Sequence, residues 1–195
     1  MVDIRVMVEP LFFDGTYEVP QSAKHLDINR VHIDKAIELN NMWHSMLPNA
    51  EKSNLIRVKS NAFYSASYDG IYYAVALWSS PVSRSLDDNI YLELRRLAIC
   101  ENSPKFTATR MISKMVNDIK MTMPHIKHLI SYQDTSRHNG TIYAASNWYV
   151  DNFTRFTEWN KSRERKVQLA TGNKIRWRYD IVRKDKSVKE ISNGI

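Results

Sequence analysis

The stretch from residue 89 to residue 132 limits the fold more than any other part of the chain, because its hydrophobic period changes twice. "NIYLELRRLAIC" is largely apolar on both faces of an extended strand, which suits a central place in a sheet. From Phe106 to Met123 the period becomes helical, with Met111, Ile112, Met115, Ile119 and Met123 on one stripe and Lys114, Asp118 and Lys120 on the other. "HIKHLISY" then returns to strand. Strand, amphipathic helix and strand in this order predict a parallel crossover.

The flanking segments fit around that unit. "DIRVMVE" near the N-terminus reads as a short alternating strand, and residues 29–43, "NRVHIDKAIELNNMW", read as an amphipathic helix that ends near His44, with Pro48 marking the break. Residues 61–78 are two β-rich runs joined around Asp69-Gly70, a strong hairpin signal. "GTIYAASNW" looks like a short helix, and the remainder reads as one or two strands separated by a Gly172-Asn173 turn. The expected fold class is α/β (α+β), a mixed central sheet flanked by helices. At 195 residues, 43% hydrophobic and 11% aromatic, the chain fits one domain, residues 1–195, with its own core and basic C-terminal strands over residues 154–195.

One cysteine, Cys100, excludes an internal disulfide and the multi-cysteine zinc patterns, so a reducing compartment is expected. No apolar run approaches the roughly 18 residues of a membrane span, and the N-terminus carries acids where a signal peptide is basic. A soluble, cytoplasmic protein with no membrane partner follows as an expectation.

Charge is unevenly spread. From Thr154 onward there are 12 Lys or Arg against 5 Asp or Glu, while residues 1–153 hold 16 of each, so the whole formal excess of +7 is C-terminal. The run "NKSRERKVQLATGNKIRWRYDIVRKDK" is basic and contains an aromatic residue, a composition that attracts phosphate backbones and that also suits a solvated edge. Its candidate nucleic-acid contacts are Lys161, Arg163, Arg165, Lys166, Arg176 and Arg178.

The polar loop in "ISYQDTSRHNGTIYAASNW", residues 130–148, follows a buried strand and precedes a packed segment. Asp134 at that strand end could serve as a base if burial raised its pKa, or cap the loop that follows. Under strict alternation Arg96 shares a face with Leu92 and Leu94, and a β-bulge would exchange the faces. It needs an anion, either a substrate phosphate or Glu93. No zinc-deaminase, Walker, nucleophile-elbow or dinucleotide signature is present.

The order of elements is similar to that of the GNAT acetyltransferases. "LELRRLAI" (92–99), residues 130–148 and the His of "WHSMLP" (43–48) resemble the Mom family of phage DNA-modification proteins, which shows a Glu-Leu-x-Arg-Leu strand, a Ser-Tyr-x-Asp segment and a Gly-Thr-Ile-Tyr-x-Ala-Ser-Asn-aromatic block. The resemblance implies a phage DNA-modifying transferase that converts adenine N6 in double-stranded DNA to an acetamido-type derivative and so evades restriction. It implies acetyl-CoA or a related acyl-CoA as cofactor, an association with iron, and the host cytoplasm as location. The mark joins nitrogen to a methylene where simple acetylation would attach a carbonyl, and a glycine-derived donor or a metal-assisted rearrangement would each account for it. By the same resemblance Tyr143 would protonate the leaving thiolate, Asp134 would face the amine, His44 would be a base or metal ligand, and Arg96 would bind substrate. Lys105, Thr107, Thr109 and Arg110, at the start of the helix after the central strand, would hold the cofactor, with Ser103 or Thr107 as the cap. Two departures stand out. "SPKFTATRM" has no glycine where GNAT proteins carry a Gly-rich turn, and Ser45 stands where the family has Tyr. The alternatives are a CoA-dependent N-acetyltransferase acting on a small amine or protein lysine, and a catalytically silent nucleic-acid-binding module on the same fold.

Overall fold

The structure, a computed structural model, describes residues 19–44, 49–154 and 173–181. In chain order these residues form a 3₁₀ turn (Ala23–His25), β1 (Asp27–Arg30), α1 (Ile33–Trp43), α2 (Lys52–Ile56), β2 (Asn61–Tyr68), β3 (Ile71–Ser79), β4 (Tyr91–Ile99), α3 (Thr107–Thr122), β5 (His128–Asp134), α4 (Thr141–Ala144), β6 (Tyr149–Thr154) and β7 (Lys174–Asp180). The seven strands make one mixed sheet in the order β1-β2-β3-β4-β5-β7-β6. β4 and β5 are its parallel pair, joined by α3, and the other neighbours are antiparallel. The crossover read from residues 89–132 is therefore the middle of the sheet.

Local chemistry accounts for most boundaries. Asp69 (φ 48°) and Gly70 (φ 77°) both take the left-handed conformation that closes a two-residue hairpin between β2 and β3. The predicted helix at residues 29–43 starts later than its pattern suggests. Asp27–Arg30 pairs with β2 as an edge strand, and the Val31 N–H donates to the Phe63 carbonyl, so the helix begins only at Ile33 after His32 caps it. Backbone pairing with β2 outweighs the helical spacing of Val31. The N-terminal strand read in "DIRVMVE", the Pro48 break and Gly172 of the predicted turn lie outside the described residues.

The two faces of the sheet are covered differently. α3 lays Met111, Ile112, Met115 and Ile119 against Trp78, Leu92, Leu94 and Leu129, with α4 and Trp177 extending the same core. Opposite, α1 covers only the β2–β4 half with Ile33, Ala36 and Leu39 against Phe63, Val75, Leu77 and Ala98. No helix among the described residues is long and apolar enough to cross a membrane.

Candidate functional site

The β4–β5 ladder is short. It pairs Tyr91–Leu94 with His128–Ser131 and stops. At that point β4 bulges: Trp78 faces Leu94 and Leu77 faces Arg96, leaving Arg95 as the extra residue. Beyond the bulge β4 follows β3 to Ile99, while β5 continues along β7 to Asp134. The central parallel strands thus part at their C-terminal ends, where open α/β sheets bind ligands.

Tyr143 stands at the apex of the gap. Its hydroxyl shares a hydrogen bond with Ser131 Oγ at 2.8 Å, and Ser131 Oγ also lies 3.1 Å from the Leu94 carbonyl, so the chain of bonds ends on the last paired residues of the ladder. The ring stacks on Trp177 (5.6 Å between centroids) and tilts against Trp148 (5.7 Å). Burial pushes the phenol upward in pKa, with the Ser131 bond opposing it, so the proton is retained. Trp148 is 4% exposed and belongs to this cage.

Gly140 sets where Tyr143 falls. It lies at φ 73° just before α4, and a Cβ there would meet Gln133 Oε1 at 2.4 Å and Trp177 Cζ2 at 2.7 Å. Trp177 Nε1 donates to that same Gln133 oxygen at 2.7 Å, so neither neighbour can yield without breaking a buried bond. Gly140→Ala should destabilise the fold by about 3 kcal/mol, from the left-handed backbone and the overpacking together. Chemical denaturation would measure this, and a loss below about 1 kcal/mol would contradict the lock.

On the α3 side of the gap a cleft of ≈ 340 Å³ is lined by Ile99, Cys100, Ser103, Phe106, Thr107, Thr109, Thr141 and Ile142, among others. Phe106 takes φ 69° immediately before α3, the left-handed turn that a glycine would otherwise supply. No side chain caps the helix. Ser103 donates to the Tyr73 carbonyl and Thr107 to the Pro104 carbonyl, so neither serves as the predicted cap. The N–H groups of Ala108 and Thr109, in the first turn, have no intrahelical acceptor and remain available to an anion. Thr107 and Thr109 line the cleft. Lys105 is exposed and Arg110 is engaged elsewhere, donating twice to the Leu26 carbonyl (3.2 and 3.3 Å). Arg110 is thus a clamp on the N-terminal turn and not part of the cleft wall.

The other face of the gap is polar. The bulge turns Arg96 away from Leu92 and Leu94 and toward α1, reversing the side given by strict alternation. Arg96 has no ion-pair partner among the described residues, its Nη1 is buried without a hydrogen bond, and burial together with Arg95 lowers its pKa. Glu93, 5% exposed, pairs instead with Arg95 (3.3 Å) and accepts the Val82 N–H at 3.0 Å. Burial raises the Glu93 carboxyl, against the pull of those two partners. His44, the C-terminal cap of α1, feels the Arg96 charge. Burial and then Arg96 lower its pKa, so it stays neutral, and its Nδ1 is buried without a partner. Tyr132 on β5 is half-buried on this side and accepts from Arg176. The sequence pattern offers Glu93 as a partner for Arg96, and a carboxylate between two leucines of a central strand is itself a signal of a site.

Several expectations are corrected. Asp134 is not a carboxyl raised by burial. Its Oδ1 accepts from the Ser136 N–H (3.0 Å) and hydroxyl (2.6 Å), and although desolvation acts to raise it, these bonds and Arg137 hold it below the usual range, the pattern of a loop cap. Arg176 and Arg178 are not free for phosphate. Arg176 bonds Asp151 at 2.5 Å, and Arg178 bonds Asp180 at 2.7 Å, inside the β6–β7 edge. Lys161, Arg163, Arg165 and Lys166 lie outside the described residues. Among the described residues no three His, Cys, Asp or Glu side chains converge to hold a metal.

A seven-stranded mixed sheet flanked by helices, its central parallel strands parting at their C-terminal ends, matches the fold of GNAT acetyltransferases. A GNAT acetyltransferase from Elizabethkingia anophelis with acetyl-CoA bound matches at TM-score 0.55 and 13% identity, covering 80% of this chain and 99% of its own. The ribosomal-protein-S18-alanine N-acetyltransferase of Escherichia coli matches at 0.59 and 9%, covering 84% and 98%. A Bacillus subtilis acetyltransferase in complex with CoA matches at 0.56 and 12%, covering 80% and 99%. The model of the Mom protein family matches residues 71–192, and the chain belongs to that family. The matched span holds Glu93, Arg96, Asp134 and Tyr143 but not His44. A search of curated proteins found no match.

Proposed function

We propose that this protein is an acyl-CoA-dependent transferase that modifies the N6 amine of adenine in double-stranded DNA to an acetamido-type derivative, protecting phage DNA from restriction. The observation that carries the reading is the forked β4–β5 pair, with a protonated, caged phenol on one face and a buried carboxylate beside an unpaired arginine on the other. Membership in the Mom family supports DNA adenine as the acceptor.

The cleft beside α3 fits an acyl-CoA. Open N–H groups at Ala108 and Thr109 suit a phosphate, and the left-handed turn at Phe106 exposes them without a glycine. Bound there, the cofactor would supply an activated acyl group and a thiolate leaving group; attack of N6 on the acyl carbon as the carbon–sulfur bond breaks gives an N6-acyl product, and a nitrogen–methylene link calls for a glycine-derived donor. Tyr143 keeps its proton at Oη and offers it to the departing sulfur, while Ser131 fixes the hydroxyl's direction. Adenine N6 is a weak nucleophile because its lone pair is delocalised, so a base is needed as the bond forms. Glu93 Oε is the candidate that takes that proton, a role for which its raised pKa is suited and that of Asp134 is not. Arg96 Nη1 and neutral His44 present one buried donor and one buried ring nitrogen to a polar edge of the acceptor. Adenine N6 reaches an enclosed pocket only after base flipping, and Trp43 and Tyr132 are candidates to stack on it.

Nucleosides digested from DNA of cells expressing the protein should contain a modified deoxyadenosine detectable by mass spectrometry. An unmodified digest, with CoA-dependent acetylation of a small amine or a lysine peptide in its place, would favour an N-acetyltransferase acting on those amines. DNA binding with neither product would leave a silent binding module.

A further inference from the structure

The eleven-residue connection between β3 and β4 holds one cation, Arg84, beside Asp87 and Asp88, and two further cationic segments are drawn up to it. Its first part folds back over the polar face of β4, because the Val82 N–H reaches the buried Glu93 carboxylate. The next residues are open to solvent, with Val82 62% exposed and Arg84 exposed beside it. The loop is shaped by its own bonds: Ser83 Oγ to Ser85 Oγ at 2.8 Å, Leu86 N to the Ser83 carbonyl at 3.2 Å, and the Asn89 N–H and side-chain amide to the exposed Asp87 carboxylate. Two other cationic segments are fastened to it. Lys59 Nζ contacts Asn89 Oδ1, which brings up Arg57, and the Lys127 N–H donates to the Ile90 carbonyl at 2.8 Å. Arg57, Arg84 and Lys127 are exposed and have no ion-pair partner among the described residues. Asp88 is the one uncommitted acid of the loop. By contrast Arg176 and Arg178, the basic residues predicted for this task, are consumed in internal pairs.

We propose that the β3–β4 loop, with Arg84 at its tip and Arg57 and Lys127 flanking it, is a duplex-gripping surface that holds the phosphate backbone beside the target adenine and registers it against Glu93. The inference rests on DNA being the acceptor. Exposed, unpaired cations on an ordered loop exchange counterions for phosphates at little desolvation penalty, whereas ion-paired arginines must first break their own bonds. The direct bond from the loop to Glu93 ties the grip to the proton-accepting side of the site. Phosphate contacts of this kind position the duplex without reading its sequence.

The test is the salt dependence of binding to a 20-base-pair duplex by the full chain, wild type against R57E/R84E and against K127E. Each lost phosphate contact lowers the slope of log K against log[salt] by about 0.9. The double variant is expected to lose about 30-fold in affinity at moderate salt and close to two in slope, with K127E about half of that. The melting temperature and binding to immobilised CoA should be unchanged, which separates the effect from misfolding and from donor binding. If the wild type binds and modifies DNA but the variants keep its affinity and slope, this surface is wrong and the DNA-modifying reading survives. If the wild type binds no DNA at any salt, both fall.

Discussion

Replacing Tyr143 with Phe is expected to slow DNA modification by about 10²–10³-fold while leaving the fold intact. The substitution removes one oxygen from a ring held between Trp177 and Trp148, so the aromatic packing is conserved. Ser131 loses one partner but keeps the Leu94 carbonyl, and the hydroxyl has no second partner to strand, which limits the loss of stability to about 1 kcal/mol. Rates from timed nucleoside digests, read beside thermal melts, separate the two effects. Since burial raises the phenol's pKa, the wild-type alkaline limb assigned to Tyr143 should lie above the ordinary phenol range and vanish in the variant. A Phe variant within threefold of the wild-type rate would remove Tyr143 from the chemistry. In the same comparison Tyr132→Phe serves as a control on the opposite face, where loss of the hydroxyl frees Arg176 but leaves the proton at the fork.

What could be read from sequence followed from how local each signal was. The crossover was legible because strand and helix periods alternate within 44 residues, and the hairpin because Asp69-Gly70 is a local turn code. Tyr143 and the strand end were legible as a motif block. The bulge at Arg95 was not, since nothing in "LELRRLAI" says which residue the β3 partner will skip. That one slip moves Arg96 to the α1 face and leaves Glu93 with Arg95. Asp134 was misjudged because its two Ser136 bonds, formed within two residues, lower its pKa more than burial raises it. Arg176 and Arg178 read as free cations because their partners, Asp151 and Asp180, are made neighbours by the β6–β7 pairing and by Arg178 folding onto its own strand. Charge counted along a chain does not show which cations are already paired across a sheet.

Glu93→Gln is expected to lower activity by about 10²-fold or more and, at neutral pH, to raise the melting temperature. The two effects share one cause. A carboxylate at 5% exposure is raised in pKa first by burial, with the Val82 N–H and Arg95 drawing it back. Because its folded pKa exceeds its unfolded one, the stabilising contribution is present below the unfolded value and is lost as pH rises through the folded value. Above that window the ionised group is a standing penalty. Gln removes it and still accepts from Val82, while Arg95, one-third exposed, can turn to solvent. The gain should amount to about 2–4 °C per kcal/mol recovered in a chain of this size, and should shrink toward zero near pH 4, where the wild-type carboxyl is itself protonated. Wild-type activity should rise with pH through the raised Glu93 value, and Glu93→Gln should flatten that acid limb as well as lower the plateau. If the acid limb survives unchanged in Glu93→Gln, the proton goes elsewhere, and Asp134→Asn becomes the deciding variant: its low pKa would move the limb to a more acidic pH than Glu93 allows. Stability at neutral pH would then still report on Glu93, because the penalty depends only on its burial and not on what it does for the substrate.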